Sequence, residues 1–579
     1  MRAILLSLGL SLATAAAPVA AAEPAPAPAA APAPTNADCL ECHEIAKPGE
    51  TDSVGRAGLL VSAFSRSVHK DLSCTDCHAG YQAPGPHELP PLGDAAEAAY
   101  VAKLAAAKTL DGKPAVGAPR AYLACAGCHG EVPADVKASV HGRWLTKDQA
   151  VAGATCQSCH GSIHEVAPDP APGDAAGVRA LHQALSRRCE ACHADPRFAK
   201  AAGLDAEVHV EWQDSIHGRL VSLGSTRAPL CVDCHAARVD KAGHQSIAGG
   251  SVKVSAVALS DPPRQDDPRV QTCGQCHKAS NPSFAALIAH RPLQDTGRIP
   301  HLVHVAFSWL TTLTLLFFAF HVLVDFIYEL RQRLAKRRQP HGADPEAHEV
   351  VRRFDIHQRI QHWLMLAGVI LLGITGWPLR GAGTGAVDMA QRVASGSRFM
   401  HLLGGPHGAG IVHRVAAVMI MVSGLYHLIY LTFLAKKRAL PFSMLPMPQD
   451  AVQIKDNILF MLGLKAERPR FERFNYLEKF DYWAVFWGIV MMVGSGFIFW
   501  FPAQVSRVLP TWLVSSALIV HGEEATLAIL FLFVVHFYNV HLKPSIFPMN
   551  WAWITGQVTV EFMKEEHPAE YDRVFRKKR

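Results

Sequence analysis

The sequence predicts a mainly α-helical chain in two unlike halves: a loop-rich first half with little aliphatic core, then a bundle of five membrane-spanning helices. Three observations predict this. All 14 cysteines lie between Cys39 and Cys276. Every long apolar run lies after His301. Charge divides at the same place: residues 38–300 hold 26 Lys/Arg against 29 Asp/Glu, a net of −3, and residues 301–579 hold 29 against 20, a net of +9. The overall charge of +6 therefore belongs to the apolar half and gives no reason to expect a nucleic-acid partner. At 579 residues the chain exceeds one ordinary domain.

The elements follow in chain order. Residues 1–22 open with one positive charge and a short apolar stretch and end in small residues at Ala22, which predicts a secretory signal peptide. Residues 23–37 are nearly pure Ala and Pro, an extended linker with no packing capacity. Residues 38–298 form the next domain. Its cysteines fall in seven copies of Cys-x-x-Cys-His: Cys39-Cys42-His43, Cys74-Cys77-His78, Cys125-Cys128-His129, Cys156-Cys159-His160, Cys189-Cys192-His193, Cys231-Cys234-His235 and Cys273-Cys276-His277. This spacing reads as covalent attachment of c-type haem. Two thiols one helical turn apart add to the two vinyl groups, and the adjacent His reaches the iron. Disulfides and zinc sites use cysteine pairs too, but neither needs a His after every second Cys. Such haem is attached after secretion, so the signal peptide places this domain in the periplasm. Long aliphatic runs are absent, and the domain is expected to be haem-packed, with a largely unfolded apoprotein.

An internal repeat is visible. Ser67-Val68-His69 precedes the second motif, Ser139-Val140-His141 the fourth and Ser215-Ile216-His217 the sixth. His87, His164 and His244 follow those same motifs. The pattern reads as a two-haem unit used three times, with a seventh haem appended. Nine His lie outside the motifs in this half: the six just named with His182, His209 and His290. Seven haems with two axial His each need seven of them. No Met occurs in residues 38–298, which excludes His/Met ligation there and favours low-potential, six-coordinate irons.

Five later segments are apolar over the roughly 20 residues a bilayer needs: 303–328, 360–379, 408–434, 482–502 and 515–540. The first lies in a connecting segment, 299–340, and the rest in a membrane domain, 350–579, with a cytoplasmic tail. With the first half exported, the inside loops 329–359, 435–481 and 541–579 hold 8, 9 and 7 Lys/Arg, against five on the outside. Positive residues collect on the inner side, so the charge pattern agrees with that topology and with a multi-pass protein of the bacterial inner membrane.

Ionisable residues within spans mark function by default. His413 and His427 lie 14 apart on the third span, and His521 and His536 lie 15 apart on the fifth. Four helical turns take about 14.4 residues, so each pair stays near one face. Facing helices of this kind clamp two stacked non-covalent b haems. His362, early in the second span, is a further candidate ligand near the cytoplasm. Glu478 and Asp481 at the inner mouth of the fourth span, and Glu523 and Glu524 outside, are candidate proton acceptors for a quinol.

Arg353-Phe354-Asp355-Ile356-His357-Gln358-Arg359-Ile360-Gln361-His362-Trp363, followed by Thr375-Gly376, resembles the first helix of di-haem cytochrome b subunits of formate dehydrogenase-N and nickel–iron hydrogenases. The likeness continues through His413-Arg414, the run from Pro469 to Phe480, His536-Phe537-Tyr538 and Lys543-Pro544. It implies one haem between His413 and His521 and another between His362 and His536. His427 is then a spare, or the ligand in place of His362. The first span, with His301, His304 and His321, has no counterpart in that pattern. The whole layout is similar to inner-membrane fusions of a multihaem c domain with a di-haem cytochrome b in metal-respiring bacteria, which implies menaquinol oxidation. The expected partners are the membrane quinone pool and periplasmic c-type cytochromes. Two alternatives stay open: the same wire run inward from a periplasmic donor to quinone, and a multihaem nitrite- or sulfite-type reductase, which would need an open iron.

Overall fold

The computed structural model describes residues 35–47, 59–78, 125–129, 156–168, 170–202, 207–235, 268–287, 296–336, 349–381, 402–434 and 443–575, with single positions 50, 53, 102 and 141. The expected signal peptide lies outside the described residues, as do His87, His244 and His290. By compactness the chain divides into Met1–Gly93 and Asp94–Arg579.

In the first unit, helix α1 (Asn36–His43) begins where Thr35 and Asp38 cap each other, the Asp38 carboxylate accepting from the Thr35 N–H at 2.7 Å. Helices α2 (Val61–Phe64) and α3 (Cys74–Cys77) follow, and α3 starts on the equivalent Ser73/Asp76 box. Such boxes satisfy backbone N–H groups that a helix start leaves unpaired. They set the register of both attachment motifs. Asn36 joins the two. Its carboxamide donates to the Leu72 carbonyl at 3.3 Å and accepts from the Cys74 N–H at 2.7 Å.

The second unit opens with short helices: α4 (Cys156–His160), α5 (Ala175–His193), α6 (Pro196–Ala202), α7 (Val208–Asp214), α8 (Ile216–Ser222), α9 (Cys231–His235), α10 (Pro268–Gly274) and α11 (Pro282–Ala285). Only α5 is long. Asp174 caps it by accepting from the Ala176 and Gly177 N–H groups, and the fifth motif forms its last turn. Helices α6, α7 and α8 pack on α5. Their apolar core is small: Trp212, Val221, Ala228 and Leu230 are buried, with Leu185, Leu220 and Val232 against them.

The rest is a helical bundle. Helices α12 (Arg298–Lys336), α13 (Ile356–Gly381), α14 (Gly405–Ile429), α16 (Tyr476–Trp500) and α17 (Thr511–Phe531) supply five spans. Wider π-type turns carry α14 on to Leu434 and α17 on to Leu542. The spans run Arg298–Ala335, Ile356–Leu379, Gly405–Leu434, Tyr476–Trp500 and Thr511–Leu542. The fold is thus mainly α, with a five-helix bundle apolar enough to cross a membrane. Each span begins earlier than its apolar run. At α16 the reason is local: Asn475 and Glu478 form a capping box, so helix starts six residues before the apolar stretch at 482. Helix α13 packs on α14, and both α12 and α16 pack on α17. Leu316 and Phe533, 64% and 67% exposed, face outward, as a lipid-facing surface requires.

Helix α15 (Pro448–Met461) bridges α12 and α16 between the third and fourth spans. At that end of the bundle β1 (Val350–Arg352) pairs antiparallel with β2 (Gln557–Thr559), and α18 (Val560–Glu566) and α19 (Pro568–Phe575) close the chain. The buried Arg353 and the half-buried Arg473 both bind Glu570, at 2.7 and 2.9 Å. This ties the C-terminal segment to the starts of α13 and α16. At the opposite end the seventh motif docks on the bundle. The Asn281 amide donates to the Ala503 carbonyl at 2.7 Å and to Ser506 at 3.0 Å. Arg219 reaches the Leu379 carbonyl, and Arg227 stands 3.1 Å from His407.

Candidate functional site

Two histidines enter the bundle from α13 and α14 and two from α17. His413 on α14 and His521 on α17 have matching surroundings. Thr375 gives its hydroxyl proton to the Leu371 carbonyl at 2.6 Å, so its oxygen accepts from His413 Nδ1–H at 2.9 Å. Ser495 gives its proton to the Met491 carbonyl at 2.6 Å and accepts from His521 Nδ1–H at 2.9 Å. Each imidazole therefore holds its proton on Nδ1 and keeps the Nε2 lone pair for a metal. The next residue is glycine in both helices. A Cβ at Gly376 would lie 3.1 Å from His413 Cε1, and one at Gly496 would lie 3.2 Å from His521 Cε1. A side chain at either position would crowd the ring and make it shift by a few tenths of an ångström.

His362 on α13 faces His536 on α17, with ring centres 6.5 Å apart. Two imidazoles on one metal, each bonded at about 2.0–2.1 Å with about 1.1 Å from nitrogen to ring centre, put the centres about 6.3 Å apart. His536 Nδ1–H donates to Asp481 Oδ2 at 2.6 Å. His427 differs. Its Nδ1 pairs with the Gln361 side chain and its Nε2 with the Tyr482 hydroxyl, both at 2.8 Å. Both its nitrogens are engaged.

The same spacing recurs outside the bundle. His141 stands 6.3 Å from His193 of the fifth motif, and His217 stands 6.3 Å from His277 of the seventh. Burial and the neighbouring His277 push His217 down to about 4. Burial and His193 likewise lower His141. Both imidazoles are thereby held in the neutral form that ligates metal. Successive motifs also meet: the Cys74 thiol contacts Cys39, Cys156 contacts Cys125, and Cys189 contacts Cys231. That pairs the first motif with the second, the third with the fourth and the fifth with the sixth, in step with the sequence repeat. Of the other expected ligands, His209 is buried beside Glu190 at 3.8 Å. His182 Nδ1 is buried without a hydrogen-bond partner. His164 lies in the short turn Ile163–Glu165, and His69 follows the buried Ser67.

The four carboxylates do not form one cluster. Glu478 is used as the cap of α16 and lies 3.8 Å from Arg353. Glu523 pairs with His304 at 3.4 Å. Asp481 has one oxygen on His536 and the other, Oδ1, buried without a partner. Glu524, expected on the outer side, lies within α17, 3% exposed, with Oε2 lacking a partner.

One cavity of about 4360 Å³ is lined by His362, His413, His521 and His536 and also by His217 and His277. Single small-molecule pockets measure roughly 300–1,000 Å³, so the space suits several large planar groups. Sequence reasoning missed Ser495 and Tyr482. The available signal was a second Ser/Thr-Gly pair, Ser495-Gly496, matching Thr375-Gly376.

Residues 353–548 match the model of the prokaryotic cytochrome b561 family, which spans less than half of the 579 residues. The match takes in the last four spans and leaves α12 outside. No curated protein and no solved structure matches the chain. The membrane part is thus similar to membrane proteins that carry electrons on haem b.

Proposed function

We propose that the chain is a quinol:cytochrome c-type oxidoreductase of the bacterial inner membrane, which oxidises menaquinol and delivers electrons to periplasmic c-type cytochromes in anaerobic, metal-reducing respiration. Two b haems and seven covalent c haems, when bound, supply the one-electron redox chemistry, which is the cofactors' own. His413 with His521 would hold one b haem, and His362 with His536 the other. Thr375, Ser495 and Asp481 fix the ring tautomers. His427, with both nitrogens occupied, is a packing residue in this reading. Outside the bundle the motif His residues would hold the c-haem irons, His193 together with His141 and His277 together with His217. Asp481 and Glu524, each with a buried free oxygen, are the carboxylates able to take a quinol proton.

The observation that carries this reading is continuity. The seventh motif sits on the bundle through Asn281 and Ser506, and His277 and His521 border one cavity. Rapid mixing of a reduced menaquinol analogue with the oxidised full-length protein should reduce b-type absorbance first and c-type second. If the analogue leaves the c haems oxidised while a reduced periplasmic cytochrome fills the b haems, the inward direction replaces this one.

A further inference from the structure

The first span, α12, lies outside the family match, yet it carries a buried ionisable stripe. His321, Asp325 and Glu329 are four residues apart and 2%, 5% and 8% exposed. Each step of four residues returns to nearly the same helix face. Burying ionisable groups at a helix interface is costly unless they are paired, and here the pairing runs in series. His321 Nε2 lies 2.7 Å from the Tyr476 hydroxyl, which also accepts from the Asn457 amide at 2.9 Å. Tyr538 donates to Asp325 Oδ2 at 2.7 Å. Lys543 stands 3.7 Å from Asp325, 3.4 Å from Glu329 and 3.5 Å from Glu566, and Arg468 holds Glu566 at 3.0 Å.

Two features set this apart from an ordinary anchoring network. The charges do not cancel: among the described residues, the Lys and Arg paired with Asp325, Glu329 and Glu566 are Lys543 and Arg468. Arg333, one turn further on, is taken by the Pro544 carbonyl, and His567 beside Glu566 is turned to Arg353 and the Glu472 carbonyl. Three carboxylates against two cations in a low-dielectric interface leave room for one more proton. The cluster also borders the histidine-lined cavity, because Asp325, Asn457, Tyr476, Arg468, Lys543 and Glu566 line it, and Asn457 Oδ1 is buried without a partner.

We propose that His321, Asp325 and Glu329 form a proton relay joining the bundle cavity to the end of the bundle where the C-terminal segment packs. A quinol that gives up two electrons also gives up two protons. The electrons leave through the haems, and the relay takes the protons one at a time: a proton enters at His321 and Tyr476 as another leaves near Glu329. Lys543, Arg468 and Glu566 stay charged and hold the carboxylates in place. The inference rests on the quinol reading, and its test is built to fail separately from it.

Full-length, haem-loaded protein in detergent is reduced electrochemically through mediators, without quinol, in the presence of a pH dye. Wild type should take up protons as the b haems are reduced. Asp325→Asn, which cancels the excess negative charge, should slow that uptake at least tenfold with both b haems retained. His321→Gln, which leaves every ion pair intact, should do the same and remains usable if Asp325→Asn does not assemble. Separately, a menaquinol analogue should reduce the variants at least tenfold more slowly than wild type, while dithionite reduces all of them alike. Proton uptake at the wild-type rate in a variant with full b-haem content would overturn the relay. So would the absence of any uptake by wild type. If wild type takes up protons but no quinol analogue reduces it, the quinol reading fails and the relay stands.

Discussion

Ser495→Ala isolates the role of a hydroxyl that touches no cofactor in our reading. Ser495 is 5% exposed and accepts the His521 Nδ1–H at 2.9 Å while its own proton is committed to Met491. Alanine removes the close acceptor of a buried N–H and leaves it the Met492 carbonyl, at a cost of about 1–3 kcal/mol. It also frees the ring to turn or to move its proton to Nε2, where it would block the metal. With tenfold per about 1.4 kcal/mol, haem retention at the His413/His521 site should fall roughly 5- to 100-fold, in the range seen for groups that orient metal-bound His. The assay is the rate at which the purified full-length variant loses non-covalent haem to excess apomyoglobin, with the covalent c haems as internal standard. Thr375→Val should give a loss of similar size. Ser515→Ala is the control, because Ser515 is fully buried on α17, the helix of His521, with no hydrogen-bond partner. Equal haem loss from Ser495→Ala, Ser515→Ala and wild type would refute the argument.

Further outcomes follow from the same geometry. A pyridine haemochrome assay should return c and b haem in the ratio of the seven motifs to the two His pairs; a sample with c haem alone would remove the membrane electron path. His362→Ala should lose one b haem, whereas His427→Ala should keep both and only lower thermal stability, by about 1–2 kcal/mol for its two hydrogen bonds; loss of haem from His427→Ala would reverse the assignment. Asn281→Ala removes the link to Ala503 and Ser506, so quinol should still reduce the b haems while c-haem reduction slows, which rapid-mixing spectra would show. Burial alone would raise the Glu566 carboxyl, but Lys543 and Arg468 overcome it and hold the group at about 2, below its ordinary 4.5. A carboxyl lowered on folding contributes stability above its unfolded value and loses it as pH falls through the folded one. Protection of α18 against hydrogen exchange should therefore be full above pH 4.5 and decline toward pH 2; rising protection on acidification would contradict this.

Local chemistry made much of the chain legible without a structure. Cys-x-x-Cys-His is complete within five residues, so seven attachment motifs could be read one by one. The number of apolar spans is also local, because a bilayer demands about 20 apolar residues for each. Other features depend on which helices face each other, and that is set by packing between residues far apart in sequence. By sequence His427 is a spare or a substitute for His362; in the fold Gln361 and Tyr482, 55 residues on, occupy both nitrogens of His427, while His362 faces His536. Glu523 and Glu524 are neighbours in one apolar run, and the packing of α17 is what buries Glu524. His321, Asp325 and Glu329 drew no assignment from sequence, since an i, i+4 stripe of polar groups on an apolar helix has no meaning until Tyr476, Tyr538 and Lys543 are brought against it. The seven Cys-x-x-Cys-His repeats and the apolar spans are complete in the linear order of residues. Tertiary structure decided which side chains share a proton or face one another across a metal-sized gap, because hydrogen bonds and coordination act over a few ångströms that chain separation does not record.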